Sequence, residues 1–452
     1  MSASQAVVGS VSTTVASNVL LLVPGQNLRT GVKDFEEVYP NCTSLERDLL
    51  NVASAVYACD LAFKRGEREQ ITRDIELTIP VVNRQAFLPL KDTIEFLLWT
   101  LSHDNWTITF TRDAGQPEPK KDWPPNHGTT VLFSGGVDSF TGAVELLVAR
   151  GIDEVQLVSH ITGNPLTQRS QNELAEHLID RFGKGLKRLT VRTGGRNKGD
   201  FKFPSDTERE ETQRTRTFMF LAIAALSARR TGHKELVVIA ENGQMAIHLP
   251  LSPARVGAFS THTAHPEFVA LAVEFFSSVL DVDLKITNPY LYSTKAEVVA
   301  KLGAKDRSAL ERSVSCWRGA RVPSYNHCGE CVPCLVRRVA LEFNGIKLAE
   351  YKRDLFAVPS VLALDEEDEG KRNLVEFAEF AHTFRTRSEG ALLDLFPDLI
   401  NAEFDCTNAI SMYRRFALEA ETVLRRYAGP SALLPSEQQA PVPSRRRRGA
   451  GK

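Results

Sequence analysis

This 452-residue sequence predicts an α/β fold: a doubly wound parallel sheet, preceded by a small α/β unit and followed by a helical region. Three observations point there. Between about residues 129 and 345, short apolar runs alternate with helix-length stretches, the rhythm of a parallel sheet covered on both faces. The first run ends in Ser134-Gly135-Gly136-Val137-Asp138-Ser139, a polar glycine turn leading into a helical pattern. Four of the seven cysteines, Cys316, Cys328, Cys331 and Cys334, crowd together near the end of that stretch, the spacing of a metal knuckle.

Residues 1–125 read as an N-terminal α/β accessory unit with its linker. Apolar alternation predicts strands at 19–23, 74–82 and 106–111 and helices at 45–64 and 86–101. Four prolines around Lys120-Lys121-Asp122 mark 115–128 as the linker. No catalytic signature falls in this unit, and a docking or dimerisation module is its simplest reading. Residues 126–345 form the nucleotide-binding unit. Strands are expected at 131–133, 155–158, 187–191, 236–240 and 284–287, with helices at 140–149, 169–182, 212–228, 266–280 and 295–302. Residues 346–429 are helical, with helices at 375–384 and 409–427 and a short turn at 391–395, their apolar spacing speaking for packing. Residues 430–452, rich in Pro and Ser and carrying Arg445-Arg446-Arg447-Arg448, read as a disordered basic tail.

The glycine turn has the chemistry of an anion cradle. Adjacent glycines let the backbone turn sharply and approach a ligand, and N–H groups opening the next helix point at negative charge. Ser134 and Ser139 add hydroxyl donors, and Asp138 can accept from a ligand or help hold a magnesium ion. No lysine follows the second glycine, which excludes a Walker loop. In an open parallel sheet a ligand lies beyond the carboxyl ends of the strands, where this turn falls. Taken alone, the six residues are also compatible with an ordinary strand-to-helix turn. Cys328, Cys331 and Cys334 can converge on one centre, and Cys316 can complete a tetrahedron. Four thiolates suit Zn2+ and leave no open position, so that metal would be structural; redox thiols or plain buried cysteines are the alternatives. Cys42, Cys59 and Cys406 stand alone and read as ordinary thiols.

The Ser-Gly-Gly-x-Asp-Ser turn resembles, at every fixed position, the signature of the PP-loop ATP pyrophosphatases (adenine nucleotide alpha hydrolase-like fold), which adenylate a carbonyl oxygen and release pyrophosphate. With Ser315-Cys316-Trp317 and Cys328-Gly329-Glu330-Cys331-Val332-Pro333-Cys334-Leu335-Val336-Arg337 downstream, the pattern resembles the 7-cyano-7-deazaguanine synthase family, QueC. Gln168-Arg169, Arg216-Thr217-Phe218, Pro266-Glu267-Phe268, Asn288-Pro289 and Thr294-Lys295-Ala296-Glu297 resemble further segments of it, so the likeness spans about 126–345. Glu241-Asn242-Gly243, the stretch 255–261 and His265-Pro266 are similar to divergent QueC-like proteins of the QatC type, found in Qat anti-phage defence systems.

That resemblance implies an ATP-dependent carbon–nitrogen ligase. It would activate a 7-deazaguanine-type carboxylate for attack by ammonia or an amine, with ATP and Mg2+ at the turn and Zn2+ in the knuckle. It implies a nucleotide site at Phe133, Ser134, Gly135, Gly136, Val137, Asp138, Ser139, His160, Glu241 and Asn242. Catalytic roles fall to Asp138, Ser139, Arg216 and Lys295, the two cations neutralising phosphate or carboxylate; a surface ion pair is the plain alternative for both. His160, His262 and His265 are candidate proton carriers or simple pocket donors. The sequence departs from the family at Thr217, Thr263 and Ala264, where asparagine, aspartate and cysteine are expected, and at Val158-Ser159-His160 after the second strand. These departures leave the substrate open.

A net charge of −1 with 25% charged residues excludes a wholesale nucleic-acid binder. No apolar run reaches the roughly 18 residues of a membrane span, and residues 1–17 lack the basic start of a signal peptide. Thiols, zinc and ATP together suit the cytoplasm. The expected partners are a small deazapurine-type substrate or a protein of the same operon, within a homo-oligomer or a defence complex and without a membrane. Two other functions fit the residues: a PP-loop RNA-modifying enzyme, or a nucleotide-binding zinc subunit without catalysis. The intact Ser134, Asp138 and Ser139 weigh against the last.

Overall fold

The computed structural model describes residues 3–66, 72–118, 124, 127–161, 163–234, 237–252, 263–318, 325–347 and 351–435. His262, the 255–261 stretch, Lys120-Lys121-Asp122 and the tail arginines lie outside them. The described strands are β1 (Ser4–Val8), β2 (Val19–Leu22), β3 (Leu28–Thr30), β4 (Asp74–Val81), β5 (Asn105–Arg112), β6 (Thr129–Leu132), β7 (Val155–Ile161), β8 (Lys187–Gly195), β9 (Val237–Val238) and β10 (Ile286–Thr287).

They make two sheets. The first, ordered β2-β1-β4-β5, is parallel throughout. Ile75, Leu77, Ile79 and Val81 of β4 point inward with Trp106, Ile108 and Phe110 of β5, while the alternate residues face outward. The period-2 pattern that predicted these strands is therefore a burial pattern. Strand β1, which the sequence reading did not anticipate, pairs with both β2 and β4.

The second sheet is ordered β10-β9-β6-β7-β8-β3. Its first five strands are parallel and fall where alternation predicted them, although β9 and β10 shrink to two residues each. The sixth comes from the N-terminal unit: β3 runs antiparallel along β8, with Leu28 opposite Gly195. The N-terminal unit thus contributes a strand to the sheet of the nucleotide-binding unit and shares its core. The Ser44–Ala62 helix, started by a Thr43/Glu46 capping box, lies against the Arg216–Thr231 helix in one continuous apolar core. Polar ties cross the same boundary: Arg230 to Glu46 at 2.6 Å, the Tyr39 hydroxyl to Gln156 at 2.7 Å, and Thr215 N–H to Asp60 at 2.9 Å.

Several helix boundaries move for local reasons. The helix expected from 140 opens at Val137, inside the glycine turn. The one expected from 212 starts at Arg216 and ends where Gly232 turns left-handed. The expected turn at 391–395 is a helix, Glu389–Leu395, capped by Ser388. In the C-terminal region the helices Glu369–Thr386 and Cys406–Leu424 begin earlier than apolar spacing suggested, at the Asp368 and Asp405 caps. They enclose an aromatic core of Phe377, Phe380, Phe384, Phe396, Tyr413 and Phe416. Among the described residues no helix is long and apolar enough to cross a membrane.

Candidate functional site: an anion cradle beside a charged quartet

β6 delivers the chain to the turn. Phe133 is wholly buried beneath it, its carbonyl accepting from the Ser159 hydroxyl at 3.0 Å, so it supports the turn rather than lining the site. Gly135 takes φ +85°, and a Cβ there would press to 3.1 Å on Ser170 and Gln171; glycine adopts this backbone at little cost. Its carbonyl accepts from Ser170 Oγ at 2.7 Å and Val314 N–H at 3.1 Å. Gly136 is the extended N-cap residue of the Val137–Arg150 helix, which receives no side-chain cap. The hydroxyls of Ser134 and Ser139 lie 3.0 Å apart across the turn. A helix start left uncapped, with two hydroxyls beside it, is suited to phosphate.

Asp138 gathers three other predicted residues. Lys295 Nζ reaches its Oδ2 at 2.7 Å and Asn242 Nδ2 donates to the same oxygen at 2.8 Å. Asn242 also donates to Glu241 at 3.1 Å. Burial would raise the Asp138 carboxyl, but the Lys295 charge and the hydrogen bonds around it hold it below the ordinary carboxylate value. Glu241 is driven well above its ordinary value, first by burial and then by the Asp138 charge. The quartet therefore carries one firm carboxylate, one lysine and one carboxyl inclined to keep its proton. Lys295 and Asn242 both go to Asp138 Oδ2, and among the described residues neither reaches the buried Oδ1, an oxygen suited to a magnesium ion.

The quartet opens on a cavity of about 180 Å³ lined by Ser134, Gly136, Val137, Asp138, Ser139, Glu241 and Lys295, with Val314 and Ser315 opposite. Arg216 and His160 do not line it. His160 sits near the end of β7, its Nε2 2.7 Å from Thr193 and its ring edge-on to Tyr57, with the Arg216 charge nearby. Burial, then the Arg216 charge, lowers His160 to about 3, so it is a neutral imidazole and not a proton carrier near neutrality. Among the described residues Arg216 Nε has no hydrogen-bond partner, and the guanidinium is buried, unlike a surface ion pair. Gln171 links this group to the turn, its amide donating to the Ser134 and His160 carbonyls at 3.3 Å each.

A second cavity, about 430 Å³, adjoins the first through Met245 and Val336. His103, His265, Trp317, Phe377, Tyr413 and Phe416 are among its walls, and the described lining includes Glu267 and Asp398 but no lysine or arginine. Thus His265 faces this cavity, and burial, then His248, lowers it to about 4.

The four predicted metal ligands do converge. The sulfurs of Cys316, Cys328, Cys331 and Cys334 all lie within 4.8 Å of one another, and all four residues are buried. Cys316 and Cys331 Sγ are 3.9 Å apart, Cys328 and Cys334 Sγ 3.8 Å. Sulfurs about 2.3 Å from a tetrahedral zinc would be about 3.8 Å apart, whereas a disulfide needs about 2 Å. The donor set thus fits zinc. Backbone N–H groups of Glu330 and Cys331 point at Cys328 Sγ at 3.4 and 3.3 Å, support that suits thiolates. The knuckle reaches the cradle through Arg337, which holds Ser313 at 2.8 Å, Ser315 at 3.3 Å and the Leu310 carbonyl at 2.8 Å.

Sequence reading missed the supports. Asn288 brackets the Glu241 backbone, accepting from its N–H at 3.2 Å and donating to its carbonyl at 2.8 Å. Gln244 accepts from Lys295 N–H at 2.8 Å. The Thr294-Lys295-Ala296-Glu297 run is itself a capping box, a pattern visible in the sequence as Thr-x-x-Glu.

Comparison with known proteins agrees with this geometry. The family described as queuosine biosynthesis protein QueC matches residues 128–345. The 7-cyano-7-deazaguanine synthases of Brucella ovis and Brucella suis are each 29% identical over 231 residues, covering 48% of this chain and 90% of theirs. Turn, parallel sheet, cysteine knuckle and sequence match coincide on one segment, and residues 128–345 are accordingly a QueC-like PP-loop domain.

Proposed function

We propose that the protein is an ATP-dependent adenylating enzyme of the QueC type, forming AMP and pyrophosphate and activating a 7-deazaguanine-type carboxylate for attack by ammonia or an amine. The observation that carries this reading is the juxtaposition of the uncapped Val137 helix start with Asp138, Lys295 and Glu241 on the lining of one cavity, Asn242 tying the two carboxyls together behind them. A carboxylate oxygen is a poor leaving group. Attack of the substrate carboxylate on the ATP α-phosphorus forms the acyl–O–P bond and releases pyrophosphate. The turn's N–H groups and the Ser134 and Ser139 hydroxyls would hold that pyrophosphate as its charge develops. Lys295 supplies positive charge at the same wall. Asp138 orients Lys295 and offers Oδ1 to magnesium, which when bound neutralises phosphate charge. An amine then attacks the acyl carbon and AMP departs.

The second cavity meets the first at Met245 and Val336, which suits it to bring the acceptor to the activated acid. The likeness of Glu241-Asn242-Gly243 to defence-operon proteins supports a place in anti-phage defence. Phage plating on cells carrying the operon with Asp138→Asn tests that part.

The central test is incubation of the protein with ATP, magnesium and 7-carboxy-7-deazaguanine, with AMP, pyrophosphate and all products read by mass spectrometry. Acid-dependent AMP release with an amide, nitrile or amine adduct of the deazaguanine is expected. Absence of AMP with every carboxylate tried overturns the reading, and AMP transferred to RNA would replace it with base modification.

A further inference from the structure

We propose that the helix Cys406–Leu424, outside the QueC-matching segment, positions Lys295 by gripping both members of the capping box that starts the lysine's own helix. Glu419 and Arg415 are the positioning residues. The proposal rests on the reading of Lys295 as a group of the adenylation site.

The lysine's helix, Lys295–Ala300, is only six residues long. A helix that short has little stability of its own, so its start must be fixed from outside. Thr294 is the N-cap, its hydroxyl accepting from Glu297 N–H at 3.0 Å while Glu297 accepts from Thr294 N–H at 2.8 Å. Each of the two side chains has a further partner on the C-terminal helix. The Thr294 hydroxyl donates to Glu419 Oε1 at 2.7 Å, a buried contact. Arg415 Nε donates to Glu297 at 2.6 Å, and its NH2 group donates to the Tyr292 carbonyl at 2.7 Å.

Lys295 is the first residue after the cap, so the direction of its side chain follows from the cap's geometry. The ammonium ends 2.7 Å from Asp138 at the cavity wall. On the same C-terminal helix, the Tyr413 hydroxyl accepts from Leu249 N–H at 3.3 Å, just beyond the Gly243–Ile247 helix that bears Gln244. Gln244 in turn accepts from Lys295 N–H. The C-terminal helix thus reaches Lys295 from both sides.

The experiment treats the full chain with trace acetic anhydride and reads the modification rate of each lysine by mass spectrometry. Wild type, Glu419→Ala, Glu419→Gln and Arg415→Met are compared, alongside pyrophosphate release. Lys295 is expected to react about threefold or more faster in Glu419→Ala and in Arg415→Met. Glu419→Gln, whose amide oxygen still accepts from Thr294, should stay near wild type. Lys371, buried in the C-terminal region, reports global unfolding. If it accelerates together with Lys295 in Glu419→Ala, the half-exposed Arg415→Met decides. In Glu419→Ala, kcat for pyrophosphate release should fall about tenfold while KM for ATP changes little. Unchanged Lys295 reactivity in both Glu419→Ala and Arg415→Met overturns the positioning proposal whatever the turnover. Wild type that releases no AMP overturns the adenylation reading alone, because lysine reactivity does not depend on turnover.

Discussion

Asp138 and Lys295 face each other at 2.7 Å with less than a tenth of either side chain exposed. Buried opposite charges are costly to separate, since removing one strands the other; that loss runs to about 3–5 kcal/mol. Asp138→Asn keeps the shape and an oxygen acceptor for Lys295 but removes the charge. Pyrophosphate release by this variant should fall at least about 100-fold, with a smaller loss of melting temperature than Asp138→Ala shows. Turnover at the wild-type rate would remove Asp138 from the site. Both residues were legible in the sequence because each sits in a short linear pattern tied to a turn or a helix start. Glu241 and Asn242 were legible as residues after a strand, but their link to Asp138 was not, since it depends on β9 lying beside β6. Glu419 left no trace at all: its partner Thr294 is 125 residues away and nothing local marks it.

A period sustained over many residues made some elements readable. Strands β4 and β5 alternate over eight residues each. Strand β3, with three residues, offers no period, and its place comes from the free edge of β8. The capped helices carry testable energetics. Burial raises Glu419 to about 7; Thr294 and Arg415 pull it down and Glu297 pushes it up. Its folded value therefore lies above the unfolded one near 4.5. For such a group the stabilisation is complete below the unfolded value and is lost as pH rises through about 7. Between about pH 5 and 8 the loss is about 2 kcal/mol. Thermal melts of wild type and Glu419→Gln should run together at the acid end of that range and separate at high pH, the wild type alone losing stability; parallel curves would refute a titrating Glu419. The cysteine knuckle makes a second case. Val314 N–H and Arg337 connect it to the cradle, so stripping the metal with a chelator should lower both melting temperature and ATP affinity. Atomic absorption before and after treatment ties the change to zinc, and unaltered ATP affinity in the stripped protein would mean that the knuckle does not shape the cradle.

At the scale of the molecule, the nucleotide-binding unit shares one sheet and one apolar core with residues 1–125. The strand and helix pattern of residues 1–125 and the proline-rich stretch at its end suggested an accessory unit, because nothing in a linear reading shows that two apolar helices will share one layer. The Arg216–Thr231 helix is buried almost all round, from Phe218 through Ala228, and much of its covering is the Ser44–Ala62 helix. Its start is held from the same side, where Asp60 accepts from both the N–H and the hydroxyl of Thr215 at 2.9 and 3.0 Å. Asp60 and Asp104 are in turn neutralised by Arg73 at 2.6 and 2.5 Å, all three buried. Removing the N-terminal unit would therefore uncover Phe218, Met219 and their neighbours, open the edge of β8 and leave the Thr215 cap without its carboxylate. Exposed apolar faces and open strand edges drive association. Residues 127–435 expressed alone should accordingly aggregate, and co-expression with residues 1–118 should recover soluble material in which the two fragments elute together. A soluble, monomeric 127–435 fragment with a wild-type melting temperature would show that the shared core contributes nothing to the nucleotide-binding unit, and Arg216 would then owe its position to its own helix alone.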